Sequence, residues 1–277
     1  MTDPSYVRPL WLRIPATFVH VARAIWQTLL RDWKPGYQAE QECQDFPDIS
    51  TAEMTKLLAV EGFTMTGIAR RYALIKAVQH LVKYKIKGAF IECGVWHGGS
   101  MMLVANELLA CGVRDRELYL FDTFEGMTPP SALDQDWTGA DAQARLIGDE
   151  ALKDTSHMWC ISPLQGVMRN MALTGYPQEH VHFIQGPVEV TIPDQAPAEI
   201  ALLRLDTDWY ESTRHEFTHL YHRLIPGGIV IIDDYGYWKG QRQAVDEFIA
   251  QCPDAIFLNR IDETGCAFVK PYPLLAA

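Results

Sequence analysis

Short apolar runs and amphipathic stretches alternate along most of this 277-residue chain. The runs AFIEC (89–93), ELYLFD (117–122), VHFIQ (181–185), IALLRLD (200–206) and IVIID (229–233) are brief and rich in apolar residues, the pattern of buried strands. Helical spacing lies between them, at about 100–109, 164–173, 211–224 and 242–251. Upstream, GIARRYALIKAVQHLVKYK (67–85) puts Ile68, Tyr72, Ile75, Val78 and Val82 on one face; Thr66 is placed to cap this helix and Gly88 to end its basic tail. Strands alternating with helices predict a parallel sheet covered on both faces. The end of the chain departs from that rule. AIFLNRI (255–261), the turn DETG (262–265) and CAFVK (266–270) predict a hairpin, because Gly265 sits where the chain must reverse and no helix intervenes. The expected fold class is α/β, a mostly parallel sheet finished by an antiparallel strand.

Two stretches stand outside the alternation. PATFVHVARAIWQTLLRDW (15–33) is a predicted helix with Pro15 in its first turn and a polar stripe of His20, Arg23, Gln27 and Arg31. Residues 1–35 carry a net charge of +3 in a chain whose total is −11, so residues 15–33 could rest on an anionic membrane surface. The preferred reading is a helix packed on its own domain or on a second copy of the chain, as half-buried amphipathic helices usually are. Residues 1–60 are accordingly expected to form an N-terminal helical arm, joined by a polar connector (37–54) to a catalytic domain over 61–277. The second stretch, about 126–162, is rich in Asp, Gly and Trp and too long for a simple connection, which suggests a lid-like insertion over a site.

Composition narrows the class. With 48% hydrophobic residues a sizeable core is available, and 35 acidic against 24 basic residues argue against a nucleic-acid partner, since phosphate binding needs a basic surface. Six cysteines lack the paired spacing of a zinc site and suit a reducing compartment. No segment is apolar and uncharged for long enough to span a bilayer, and the N-terminus lacks the order of a signal peptide; the expected location is the cytoplasm.

Candidate chemistry gathers just past the strand ends, where open α/β sheets bind ligands. IECGVWHGGS (91–100) offers Glu92, Gly94, Gly98 and Ser100 in a glycine-rich turn leading into a helix, which lets backbone amides approach a ligand closely. FDTFEG ends the second strand with Asp122, an acid suited to ribose hydroxyls. LLRLDTDWYEST (202–213) and GGIVIIDDYG (227–236) end neighbouring strands in Asp206, Asp208, Asp233 and Asp234. Carboxylates converging this way repel unless a proton or cation sits between them, and oxygen-only ligands suit Mg²⁺. Each acid taken alone could instead cap a helix; Asp208 stands three residues before Glu211 in a helix-start pattern.

These motifs, in this order with IIDDYGYWKGQRQAVDEF, resemble the macrocin O-methyltransferase (TylF) family over roughly residues 60–270. The resemblance implies the Rossmann-like fold of class I S-adenosylmethionine-dependent methyltransferases, with a seven-stranded sheet and helices on both faces. It implies Mg²⁺-dependent O-methylation of a small-molecule hydroxyl, on a sugar of a natural product or glycan or on a phenol. Carried over by position, Thr64, Met65, Thr66, Glu92, Gly94, Gly98, Ser100 and Gly186 would serve the cofactor, Asp122 its ribose. Asp206, Asp233 and Asp234 match metal ligands, and Asp208 a carboxylate proposed as general base. Three departures stand out: His97 where many members read VWRGGS, Tyr237 where many read DDYGHW, and Val190 where an acid is commoner. The loss of a histidine at 237 moves the expected base to Asp208. Two other readings remain open at this level. Asp206-Thr207-Asp208 also looks like the DxD motif of metal-dependent glycosyltransferases, though that leaves the glycine-rich turn and DDYG without a task. A non-catalytic S-adenosylmethionine-binding module would keep the same cofactor residues.

Overall fold

The apolar runs become strands for the reason their composition suggests: both faces of the central ones are covered. In the structure, a computed structural model describing residues 42–273, β1 is Ala89–Cys93, β2 Leu118–Asp122, β3 Val181–Gln185, β4 Ile200–Leu205 and β5 Leu224–Ile232. β1 and β4 are buried at every residue. Two short strands, β6 (Asn259–Arg260) and β7 (Cys266–Val269), complete a seven-stranded sheet in the order β3-β2-β1-β4-β5-β7-β6. The first five are parallel; β7 runs antiparallel to β5, and β6 antiparallel to β7. Chain order reverses between β1 and β4, the switch point at which such sheets open a crevice.

The chain divides between Leu58 and Ala59 into two compact units. Within the first, the described helix α1 (Thr51–Leu58) starts at a capping box: the Ser50 hydroxyl and amide donate to Glu53 Oε2 at 2.6 and 3.1 Å, and the Glu53 amide donates to Ser50 Oγ. The helix expected at 15–33 lies outside the described residues. Among the described residues no helix is long and apolar enough to cross a membrane.

In the second unit, α2 (Ile68–Lys83) lies against β4 and β5 and α3 (Gly99–Ala110) lies beside α2. The opposite face carries one apolar cluster in which Ile91, Leu203, Leu205 and Val230 meet Val188 of α6 (Val188–Thr191), Phe217 and Leu220 of α7 (Tyr210–Leu220) and Val245 of α8 (Lys239–Gln251). Between these lie α4 (Ala142–Gly148) and α5 (Leu164–Ala172). Thr66 does not cap α2: the cap position is Gly67, and the Thr66 hydroxyl is drawn inward to a buried arginine. The expected strand at 255–261 shortens to two residues, because β7 offers only four for pairing and Phe257 is 78% exposed at the sheet edge.

The 126–162 insertion is packed rather than loose. Ala142 and Leu146 of α4 form a small core with Trp209 and Trp238, and Trp159 packs against it while donating from Nε1 to Leu146 O. Trp137, by contrast, is exposed. A buried carboxylate fastens the insertion to the domain: Asp134 accepts from the Ser131 amide and hydroxyl and, at 2.8 Å, from the Tyr210 amide at the start of α7. The close approach of Gly240 leaves room for it, since a Cβ there would lie 2.0 Å from Asp134 Oδ1. Asp134 thus fills the capping role for α7 that the spacing before Glu211 suggested for Asp208. Replacing it with alanine orphans three donors inside the fold; Asp134→Ala should lower stability by about 2 kcal/mol, read as a lower urea midpoint with the slope unchanged.

Candidate active site

The site is assembled by register. Pairing of β1 with β4 and of β4 with β5 aligns the strand ends, and the ladder continues beyond them: the Asp206 amide donates to Cys93 O at 2.8 Å and the Asp233 amide to Leu205 O at 3.0 Å. Three chain segments leave the sheet side by side. Gly94 makes this close approach feasible: its φ is +83°, and a Cβ there would lie 2.0 Å from Asp206 O.

Register also fixes the electrostatics. Glu92 and Arg204 are directly paired across β1 and β4, and both are buried. The Arg204 guanidinium donates from Nη1 to Glu92 Oε1 (2.6 Å) and Asp206 Oδ2 (2.8 Å), and from Nη2 to Thr66 Oγ1 (3.0 Å) and Asp233 Oδ1 (2.5 Å). Arg70, from the first turn of α2, holds the other Asp233 oxygen at 2.7 Å and Asp262 at 2.8 Å. Both Asp233 oxygens therefore face guanidinium groups. The acids that face one another are Asp206, Asp208 and Asp234, each with an oxygen within 4.8 Å of the other two, and among the described residues they form the one such group of acids, histidines and cysteines. Asp208 thus stands directly beside Asp206 and Asp234, and Asp233, which the resemblance gave as a metal ligand, adjoins them with its oxygens on Arg70 and Arg204.

This crowding shifts the acids. Burial, then Asp233, pushes Asp234 up to about 6. Asp206 is driven well above the usual carboxylate range by burial and by Asp233 and Asp234 in spite of Arg204, and Asp208 by burial and by Asp234. Burial also raises Glu92 to about 7 against the pull of Arg204. With Glu92, Asp206, Asp208, Asp233 and Asp234 against two arginines, the cluster holds protons at neutral pH unless positive charge replaces them. An oxygen-only donor set of this kind, with one Asp208 oxygen buried and without a hydrogen-bond partner, fits a hard divalent cation such as Mg²⁺.

Beside the acids opens a cavity of about 410 Å³, lined among others by Thr64, Met65, Thr66, Gly94, Ser100 and Gly186. Glu92 and Gly98 stand behind its wall: Glu92 under Arg204, and Gly98, with φ +87°, as the cap of α3. No side chain caps that helix, which leaves its first-turn amides for a ligand. Segment 63–66 closes over α3 so tightly that a Cβ on Gly99 would lie 2.5 Å from Phe63 O. Asp122 lines the cavity as well, but its carboxylate accepts from the amides of Val95 (2.6 Å), Trp96 (3.1 Å) and Phe124 (2.7 Å). It holds the two loops around the cavity, and any ribose hydroxyl would share oxygens already in use.

At the other end the insertion supplies the wall. Met127, Thr128, His157, Met158 and Cys160 line the cavity with Trp96, whose ring stands edge-on to His157 at 6.0 Å. His97 turns away and bonds Ser162 at 2.7 Å. Tyr237 lines the cavity, its phenolic oxygen accepting from Arg145 at 3.0 Å, while Arg145 is paired with buried Asp136. Sequence reading passed over Arg70, Arg145 and Arg204. Arg204 had a visible signal, a charge inside an otherwise apolar strand, which is stable only when paired; the other two depend on contacts between distant segments.

The macrocin-O-methyltransferase (TylF) family model matches residues 19–270. The demethyldecarbamoylnovobiocin O-methyltransferase of Streptomyces niveus is 34% identical over 204 residues, 73% of each chain. The 8-demethyl-8-(2,3-dimethoxy-alpha-L-rhamnosyl)-tetracenomycin-C 4'-O-methyltransferase of Streptomyces olivaceus is 30% identical over 240 residues, 86% of this chain and 83% of that one. Among solved structures, the O-methyltransferase NovP superposes with a TM-score of 0.66 at 29% identity, covering 76% of this chain and 83% of its own.

The acid cluster makes stability depend on pH in a defined direction. Asp234 is raised from its ordinary value to about 6, so the folded protein keeps a proton that the unfolded chain gives up near pH 4. That contribution is full below pH 4 and is lost as pH rises through 6. In chelator-treated protein the stability difference between pH 5 and pH 7.5 should shrink in Asp234→Asn by about 1.4 kcal/mol, measured by urea unfolding at each pH; an identical pH slope in the variant would contradict it.

Proposed function

The chain belongs to the macrocin-O-methyltransferase (TylF) family and is an O-methyltransferase, and from that premise we propose that it methylates a hydroxyl on a sugar of a natural product or glycan, using S-adenosylmethionine and a Mg²⁺ ion. The observation that carries the proposal is the group of three mutually facing carboxylates, Asp206, Asp208 and Asp234, at the edge of a glycine-lined cavity. The names of the two relatives above, one of which specifies a rhamnosyl group, support a natural-product acceptor. The glycosyltransferase reading of Asp206-Thr207-Asp208 lapses with the family assignment.

When bound, S-adenosylmethionine supplies the methyl group on a sulfonium, and a divalent cation makes a neighbouring hydroxyl more acidic. The protein's share is alignment and proton transfer, because in-line transfer to an oxygen depends on orientation. Gly94 and the uncapped start of α3 admit the cofactor against the backbone, and Thr64, Met65 and Thr66 close over it. Asp206 and Asp234 would hold the cation, with Asp233 engaged beside them by Arg70 and Arg204. Asp208, with a buried oxygen free of other bonds, receives the acceptor's proton. Tyr237, oriented by Arg145, stands where many family members carry histidine, so the base role falls to Asp208.

Calorimetry with S-adenosylhomocysteine, with and without Mg²⁺, followed by methyl transfer to a panel of rhamnosylated aromatic compounds, tests the reading. Asp208→Asn should bind S-adenosylhomocysteine within about twofold of wild type while turnover falls by about a hundredfold or more. Undiminished turnover in that variant would remove Asp208 as base, and full activity in a chelator would remove the cation.

A further inference from the structure

One buried acid has no part in the chemistry above. Glu216, on the inward face of α7, is fully buried at the edge of the apolar cluster, with only the Cys93 thiol, a weak donor, against its carboxyl besides Thr207, and no stronger donor on Oε2. Burying a carboxyl oxygen so weakly paired destabilises a fold, and an apolar side chain would fill the space without that cost. Its other oxygen shows what the residue does. Oε1 accepts from the Thr207 hydroxyl at 2.9 Å, and Thr207 is the residue between Asp206 and Asp208.

The turn it grips is strained. Asp208 has φ +68°, in the left-handed region that non-glycine residues avoid, and the tight bond from the Trp209 amide to Thr207 O at 2.8 Å closes the loop around it. In this conformation the carboxylates flanking Thr207 come within 4.8 Å of each other. The backbone bond alone leaves the Thr207 side chain free to swing; the bond to Glu216 fastens it to α7.

The geometry points to Glu216 as a positioning residue for the cation site: through Thr207 it holds the Asp206–Asp208 turn in the strained form that brings both carboxylates to one ion. This rests on the cation reading given above. Burial holds the Glu216 carboxyl well above its ordinary value, in keeping with a neutral group that acts through its hydrogen bond and not through charge.

The test is Mn²⁺ binding to the full chain in the presence of S-adenosylhomocysteine, followed by electron paramagnetic resonance, with thermal unfolding measured alongside. The double variant Thr207→Val/Glu216→Leu removes both hydrogen-bonding partners and leaves only the weakly polar Cys93 thiol beside them; it should melt no lower than wild type while its Mn²⁺ dissociation constant rises about tenfold. Glu216→Gln, which can still accept from Thr207, should bind Mn²⁺ within about twofold of wild type. Equal Mn²⁺ affinity in the double variant and a binding wild type would overturn the role of Glu216 and leave the cation site standing. A Glu216→Gln variant as weak as the double variant would overturn the hydrogen-bond mechanism. Failure of wild type itself to bind Mn²⁺ would overturn the cation reading and this inference with it.

Discussion

One buried guanidinium organises the site. Arg204 sits inside the central strand β4, where every neighbour along the strand is apolar, and its donors reach Glu92 on β1, Asp206 past β4, Asp233 past β5 and Thr66 ahead of α2. A charge this deep is tolerated only when paired, and removing a partner of such a pair commonly costs about 3–5 kcal/mol. Four segments far apart in sequence therefore have a shared reason to meet at one point. The same contacts link the two halves of the site: Thr66 borders the cofactor cavity, and Asp206 and Asp233 belong to the acid cluster. Arg70 repeats the device from α2, joining Asp233 to Asp262 of the C-terminal hairpin connection.

Two guanidinium groups do not balance five acids: Arg204 reaches one oxygen of Asp206 at 2.8 Å and Arg70 stands 3.5 Å from Asp234, which leaves the cluster short of positive charge. Asp206, Asp208 and Asp234 are held close chiefly by backbone geometry, by the ladder between β1, β4 and β5 and by the strained turn at Asp208, against a repulsion that the two arginines offset only in part. A fold that keeps like charges together this way favours a positive ligand, and the same crowding raises the pKa values of these acids. Under the proposed function, a cation drawn in by this preference would help the acceptor proton leave at neutral pH.

The strands and their parallel order were legible because burial on both faces removes the polar residues that would blur a run such as AFIEC or IALLRLD. The convergence of Asp206 with Asp233 and Asp234 followed from strand adjacency alone. What sequence spacing could not give was the direction of each side chain. Thr66 looked like a helix cap and proved to face Arg204; Asp208 looked able to cap α7, but that work falls to Asp134, 76 residues upstream. Whether Asp233 or Asp208 faces Asp234 depends on where Arg70 and Arg204 reach, and such long-range pairings leave no periodic trace. The seven-residue helix α4 was missed inside the insertion for a related reason: it is stabilised by Trp209 and Trp238 from other elements more than by its own pattern.

The acids at the ends of β4 and β5 are proposed to form a divalent-cation site beside the cofactor cavity. The most direct measurement of that site is a crystal structure of the protein with S-adenosylhomocysteine and Mn²⁺, read in an anomalous difference map. The account predicts a peak bonded to carboxylate oxygens of Asp206 and Asp234, with S-adenosylhomocysteine in the cavity next to it. A fully ligated cofactor pocket with no peak among these acids, their carboxylates instead paired through shared protons, would contradict it.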